Sequence, residues 1–77
     1  MEIQMPQFSQ RIKKLRKERG IKQAEMAQLL GCETRHYQRI EYGQINIPSL
    51  TLKFLADYFD VSADYLLGRT DNPQVNR

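Results

Sequence analysis

The stretch Q-A-E-M-A-Q-L-L-G-C-E-T-R-H-Y-Q-R-I-E-Y-G, residues 23–43, decides how the chain is read. Its first half sets Met26, Ala27 and Leu30 on one helical face and stops at Gly31. Its second half has only Tyr37 and Ile40 as apolar residues at helical spacing, whereas Thr34, Arg35, His36, Gln38 and Arg39 can all hydrogen-bond. Two short helices are expected, Gln23–Leu30 and Thr34–Tyr42, joined by a turn of three or four residues that contains a glycine. The second helix buries almost nothing, so its polar face must serve something outside the domain.

The same punctuation recurs along the chain. Gly20, Gly31, Gly43 and Gly68 each follow a helical pattern, where a left-handed residue closes the last turn. A fifth end falls near Asp60, where the run Leu52, Leu55, Ala56, Phe59 gives out. Five helices follow: Pro6–Arg19 with Phe8, Ile12 and Leu15 inward, the two above, Ser49–Phe59, and Ala63–Leu67. Ile21 with Met26, Cys32 with Tyr37, and Val61 with Leu66 have the spacing of hydrophobic staples, which gives Cys32 a packing role. Ser62 is a good cap, but Lys22 and Glu33 are poor ones, at about 1 kcal/mol each. Lys22 also puts a cation at the positive end of a helix dipole, a position that suits a phosphate lying against the helix start. The chain thus divides into an N-terminal arm, 1–5, a helical domain, 6–68, and a tail, 69–77, with one apolar residue and no period, expected to be disordered.

Seventy-seven residues hold one small domain without room for a large cleft. The net charge of +3 is unevenly spread: residues 11–43 carry nine basic and four acidic side chains, residues 44–77 three and four. One electropositive half is what a surface facing a polyanion requires. A lone cysteine excludes an intrachain disulfide and a cysteine zinc cluster, and the sole histidine has no second histidine for a metal. Catalysis is not expected, because Cys32 and His36 lack a cleft and an orienting third group, and no phosphate-binding glycine loop is present. No cofactor or small-molecule ligand is indicated. Without a leader or an apolar run of membrane-spanning length, a soluble cytoplasmic protein is expected.

Helix, glycine turn and helix make a helix-turn-helix arrangement, in which the second helix enters the DNA major groove. R-I-K-K-L-R at 11–16, Q-A-E-M-A-Q-L-L-G at 23–31, R-I-E-Y-G at 39–43 and L-A-D-Y-F-D-V-S-A-D-Y-L-L-G at 55–68 resemble the Xre-type regulators related to Cro and the phage lambda repressor. The resemblance covers Phe8 to Gly68 and is to members consisting of the DNA-binding domain alone. It implies an all-α, five-helix lambda repressor-like fold. It further implies that Gln23 grips a backbone phosphate, that Thr34, Arg35, Gln38 and Arg39 occupy the exposed recognition-helix positions, and that Arg16 and Glu41 form a buried ion pair. Arginine suits guanine and glutamine suits adenine, so Arg35, Gln38 and Arg39 are candidate base readers, with Thr34 against a thymine methyl or a phosphate. Lys22, Tyr42, Gln44 and Asn46 are candidate phosphate contacts beside Gln23. Departures from the family pattern are Glu33 at the cap of the recognition helix, His36 in place of a small residue, Tyr37 in place of an aliphatic one with its hydroxyl expected at the surface, and a loop Gln44–Pro48 longer by one residue.

Leu50, Phe54 and Tyr58 form an i, i+4, i+8 stripe beside the core face of the fourth helix, with Tyr65 expected to adjoin it. Such a stripe offers a homodimer surface. The expected function is a sequence-specific double-stranded DNA-binding regulator, a repressor acting as a dimer on a two-fold operator. The alternative is an antitoxin or other helix-turn-helix module whose partner is a protein.

Overall fold

The structure is a computed structural model that describes residues 6–74. It consists of α1 (Pro6–Glu18), α2 (Gln23–Leu30), α3 (Thr34–Glu41), α4 (Ser49–Phe59) and α5 (Ala63–Leu67). Among the described residues there is no strand, and the expected arm at 1–5 lies outside them. α1 and α3 each end one residue earlier than expected, because their last turns tighten. The Arg19 N–H is shared between the carbonyls of Leu15 and Arg16, and the Gly43 N–H turns back to Ile40 at 3.1 Å. Gly31 adopts φ 71° after α2, which lets the Cys32 N–H reach the Ala27 carbonyl at 2.9 Å and swings the chain into α3. After α4 that conformation falls to Asp60, at φ 54°, one of the few residue types that tolerate it without glycine's freedom.

Each helix contributes to one core: Phe8 and Ile12, Met26 and Ala27, Tyr37 and Ile40, and Leu55, Ala56 and Phe59, closed by Val61 and Leu66. Ile21 and Cys32 rest against it half-buried, at the entrances to α2 and α3. Within this core sits an ion pair. Arg16 Nε and Nη2 donate to the two carboxylate oxygens of Glu41 at 2.9 and 3.0 Å, and Nη1 donates to the Ile21 carbonyl at 2.8 Å. Both residues are buried. The bond to Glu41 holds the Arg16 guanidinium above its ordinary pKa against the opposing effect of burial.

Two expectations are corrected. The Tyr37 hydroxyl does not reach the surface: the side chain is wholly buried, and its oxygen lies beside the Glu41 carboxylate without hydrogen-bond geometry to any group. Replacing an aliphatic residue by tyrosine here extends the ring inward, toward the charged pair. The tail, expected to be disordered from residue 69, is held as far as the structure describes it. Arg11 donates to the carbonyls of Tyr65 and Thr70 and pairs with Asp71 at 2.8 Å, while the Ser62 N–H donates to the Pro73 carbonyl at 2.9 Å. Backbone bonds of this kind need no apolar residues. Residues 75–77 lie outside the described residues.

Burial, and after it the neighbouring carboxylate, push the Tyr37 phenol far above its ordinary value of 10.0. The neutral phenol is therefore favoured by folding. Above pH 10 the unfolded chain loses this proton while the folded chain keeps it, so stability falls as pH rises. Tyr37→Phe should flatten that alkaline loss in urea titrations and, by removing an unpaired buried hydroxyl, should not destabilise the protein at pH 7. Glu41→Ala, which strands the Arg16 charge, should lower stability by about 3–5 kcal/mol.

Candidate nucleic-acid interface

α3 presents its face by simple geometry. Tyr37, Ile40 and Glu41 are buried and define the inner side. Arg35 and Arg39 lie two residues to either side of Tyr37, which at about 100° per residue puts both roughly opposite it. Both are exposed, and among the described residues neither side chain makes a hydrogen bond or an ion pair. Two guanidinium groups thus project from one side of the helix with all their donors unused. Thr34, at the start of the helix, and His36, on one flank, are also exposed.

The opposite flank behaves differently. Gln38 is half-buried, and its Nε2 donates to Gln23 Oε1 at 3.0 Å. Gln23 Nε2 in turn donates to the Tyr42 hydroxyl oxygen at 3.2 Å. Two helices and the residue that ends α3 are joined by this chain, and Tyr42 remains 52% exposed at its outer end. Local periodicity does not reveal such a network, because its members are 15 and 19 residues apart. Lys22 stands exposed at the N-terminus of α2 with no side-chain cap bond, and Glu33 does the same for α3. The first N–H groups of both helices are left for an outside acceptor.

Beyond α3, the loop Q-I-N-I-P alternates. Ile45 and Ile47 rest on the core, so Gln44 and Asn46 are turned outward and exposed. The loop follows α3 in sequence and, like the Gln23 chain, supplies neutral donors. Among the described residues there is no group of three or more His, Cys, Asp and Glu side chains placed to hold a metal, and no helix is long and apolar enough to cross a membrane.

The apolar stripe of α4 is only partly sheltered. Leu50 is 82% exposed and Phe54 39%, and the Phe54 ring stacks on Tyr58 with centroids 6.0 Å apart. Arg19 flanks the stripe, donating to the Tyr58 carbonyl at 3.0 Å and lying over the Phe59 ring at 5.0 Å. Tyr65, expected to adjoin this stripe, is engaged elsewhere: the Arg11 guanidinium covers its ring at 4.2 Å, beside α1. The turn at Asp60 carries α5 back onto α1, which separates the two tyrosines.

Residues 12–66 match the model of a family described as helix-turn-helix. Among curated proteins, the chain is 35% identical over 66 residues to the HTH-type transcriptional regulator YobD of Bacillus subtilis (strain 168), covering 86% of this chain and 59% of that protein. It is 37% identical over 68 residues to the HTH-type transcriptional regulator YqaE of the same organism, covering 88% and 59%. It is 36% identical over 63 residues to the SPbeta prophage-derived HTH-type transcriptional regulator YonR, again of that organism, covering 82% and 58%. The chain therefore spans somewhat more than half the length of these relatives. No solved structure is a significant match.

The two uncapped helix starts give a direct expectation. Lys22→Ser and Glu33→Ser should each raise stability, by about 1 kcal/mol, if the side chain caps its helix as Ser62 does in α5. Urea denaturation of the two variants measures it.

Proposed function

We propose that this chain, which belongs to the helix-turn-helix family, binds double-stranded DNA sequence-specifically and regulates transcription, as a repressor that occupies a two-fold operator as a dimer. The observation that carries this reading is the pair of unengaged guanidinium groups, Arg35 and Arg39, on the outer face of α3. The names of its relatives, all transcriptional regulators, point the same way, and family and relatives together argue for a DNA-binding protein and against an enzyme.

In this reading α3 lies in the major groove. Arg35 and Arg39 are one turn apart, about 6 Å along the helix, which is roughly two steps of 3.4 Å along a DNA strand. Each guanidinium binds guanine O6 and N7 with two hydrogen bonds, while Thr34 meets a thymine methyl or a phosphate. Lys22, Gln23, Tyr42, Gln44 and Asn46 contact phosphates on the flanks and set the register of α3 without reading sequence. A second copy supplies the second half-site. The longest dimension of the domain is 33 Å, and a single α3 of eight residues cannot enter two grooves about 34 Å apart. Leu50, Phe54 and Tyr58 supply the self-complementary apolar patch that a two-fold contact needs.

Binding should weaken steeply with salt, log K falling by about 0.9 per unit of log salt for each phosphate neutralised. A slope near zero in fluorescence anisotropy would contradict a DNA-binding role. Arg35→Ala and Arg39→Ala should each lose about 1–3 kcal/mol at particular base pairs, whereas Lys22→Ala should weaken binding to every duplex alike.

The dimer has its own test. Phe54→Lys should keep the helical circular dichroism of the wild type and abolish cooperative occupation of two half-sites. Sedimentation with a symmetric operator decides it, and unchanged two-to-one binding by the variant would place the contact elsewhere.

A further inference from the structure

Gln38 belongs to the recognition helix, and its chemistry suits a base, yet its side chain is committed to a neighbour within the protein. Its Nε2 donates to Gln23 Oε1 at 3.0 Å, and Gln23 Nε2 donates to the Tyr42 oxygen at 3.2 Å. We propose that Gln38 is a positioning residue, which through Gln23 holds that amide and the Tyr42 hydroxyl as a two-donor clamp for one DNA phosphate. The proposal rests on the DNA-binding reading above.

The position of Gln38 on α3 supports this division of labour. It is one residue from buried Tyr37, so it lies about 100° around the helix, on the flank toward α2. Arg35 and Arg39 lie farther round, on the outer face, exposed where Gln38 is half-buried. A side chain on that flank meets α2 before it meets anything outside. The two arginines retain all their donors for bases, whereas Gln38 has spent one on Gln23.

The donor count supports it as well. A glutamine amide has two N–H donors and one carbonyl acceptor, and a tyrosine hydroxyl one donor and acceptor capacity. Gln23 uses its carbonyl toward Gln38 and one N–H toward Tyr42, which leaves one N–H. Tyr42 accepts through its oxygen, which leaves its own hydrogen to be given outward, on a side chain that is 52% exposed. Two donors therefore remain at the end of the chain nearest the start of α2, where Lys22 stands exposed. A phosphate offers acceptors only, so it matches this direction of the chain. The reverse direction would turn the Tyr42 hydrogen inward onto Gln23 and leave one donor fewer. Gln38 is the inner anchor. Without it the Gln23 amide is free to turn, and the two outward donors no longer converge.

The test compares Gln38→Leu, Tyr42→Phe, Gln23→Ala and the double variant Gln38→Leu/Gln23→Ala with the wild type, by duplex selection from a random pool and by affinity for the selected duplex. Melting temperatures are measured alongside. Gln38→Leu and Tyr42→Phe are each expected to lower affinity about ten-fold for all duplexes, the scale of one charge-assisted hydrogen bond. The base-preference profile should be unchanged, and the double variant should bind no more weakly than Gln23→Ala alone. A change of preference at one base pair in Gln38→Leu, or additive losses in the double variant, would overturn the proposal. If Gln38→Leu fails to fold, Tyr42→Phe decides, because its hydroxyl is at the surface: unchanged affinity in that variant overturns the clamp. Failure of the wild type to select any duplex would instead reject the DNA-binding reading itself.

Discussion

A single guanidinium organises this domain. Arg16 leaves α1, takes the Ile21 carbonyl just ahead of α2 and grips both carboxylate oxygens of Glu41 near the end of α3. Three parts of the chain are thereby tied together by directed bonds from one side chain. An ion pair shielded from water repays little of its desolvation, and apolar residues of equal volume would stabilise as well or better. The pair adds direction to the packing of Tyr37 and Ile40, which together with Glu41 form the inner side of α3. The rotation of α3 about its own axis determines whether Arg35 and Arg39 point away from the core, so the buried pair and the exposed one form a single arrangement. Tyr37 adds a cost of its own: a buried hydroxyl without a partner lies beside Glu41.

On the side where the candidate contacts gather, two helix starts lack side-chain caps. α2 and α3 begin with Lys22 and Glu33, neither of which caps its helix, whereas Ser62 caps α5 by accepting from the Tyr65 N–H at 3.0 Å. A side-chain cap takes up one of the free N–H groups at a helix start, as Ser62 does, and leaves fewer of them for a ligand. Leaving α2 uncapped costs about 1 kcal/mol in a domain too small to have much in reserve, and it makes sense if a phosphate completes the helix start. The opposite economy is seen at the tail, where Arg11 satisfies two carbonyls and a carboxylate with one side chain.

Much of the architecture was legible before the structure because its signals are local. A glycine after a periodic run, a staple five residues wide and the alternation of apolar positions each lie within a single turn or two, and they place the five helices to within a residue. The charge asymmetry and the scarcity of apolar residues in α3 pointed to the face on which Arg35 and Arg39 are exposed. What was hidden depends on partners far apart in sequence. The Gln38–Gln23–Tyr42 chain links α3 to α2, Arg11 reaches residues 54 to 60 positions away, and no pattern around Tyr37 tells whether its hydroxyl turns inward or out. Tyr65 stands seven residues after Tyr58, a helical spacing, but the turn at Asp60 lies between them and places Tyr65 beside α1 instead.

The central claim is that the buried Arg16–Glu41 pair displays one face of α3, with the start of α2, to duplex DNA. Titration of 15N-labelled protein with a selected duplex, followed through backbone amide and arginine side-chain resonances, tests it most directly. The account predicts that the largest shifts fall on Lys22, Gln23, residues 34–39 and Tyr42, with the Arg16 guanidinium signal retained. Shifts concentrated on α5 and the α1 face around Arg11, with α3 unaffected, would contradict it.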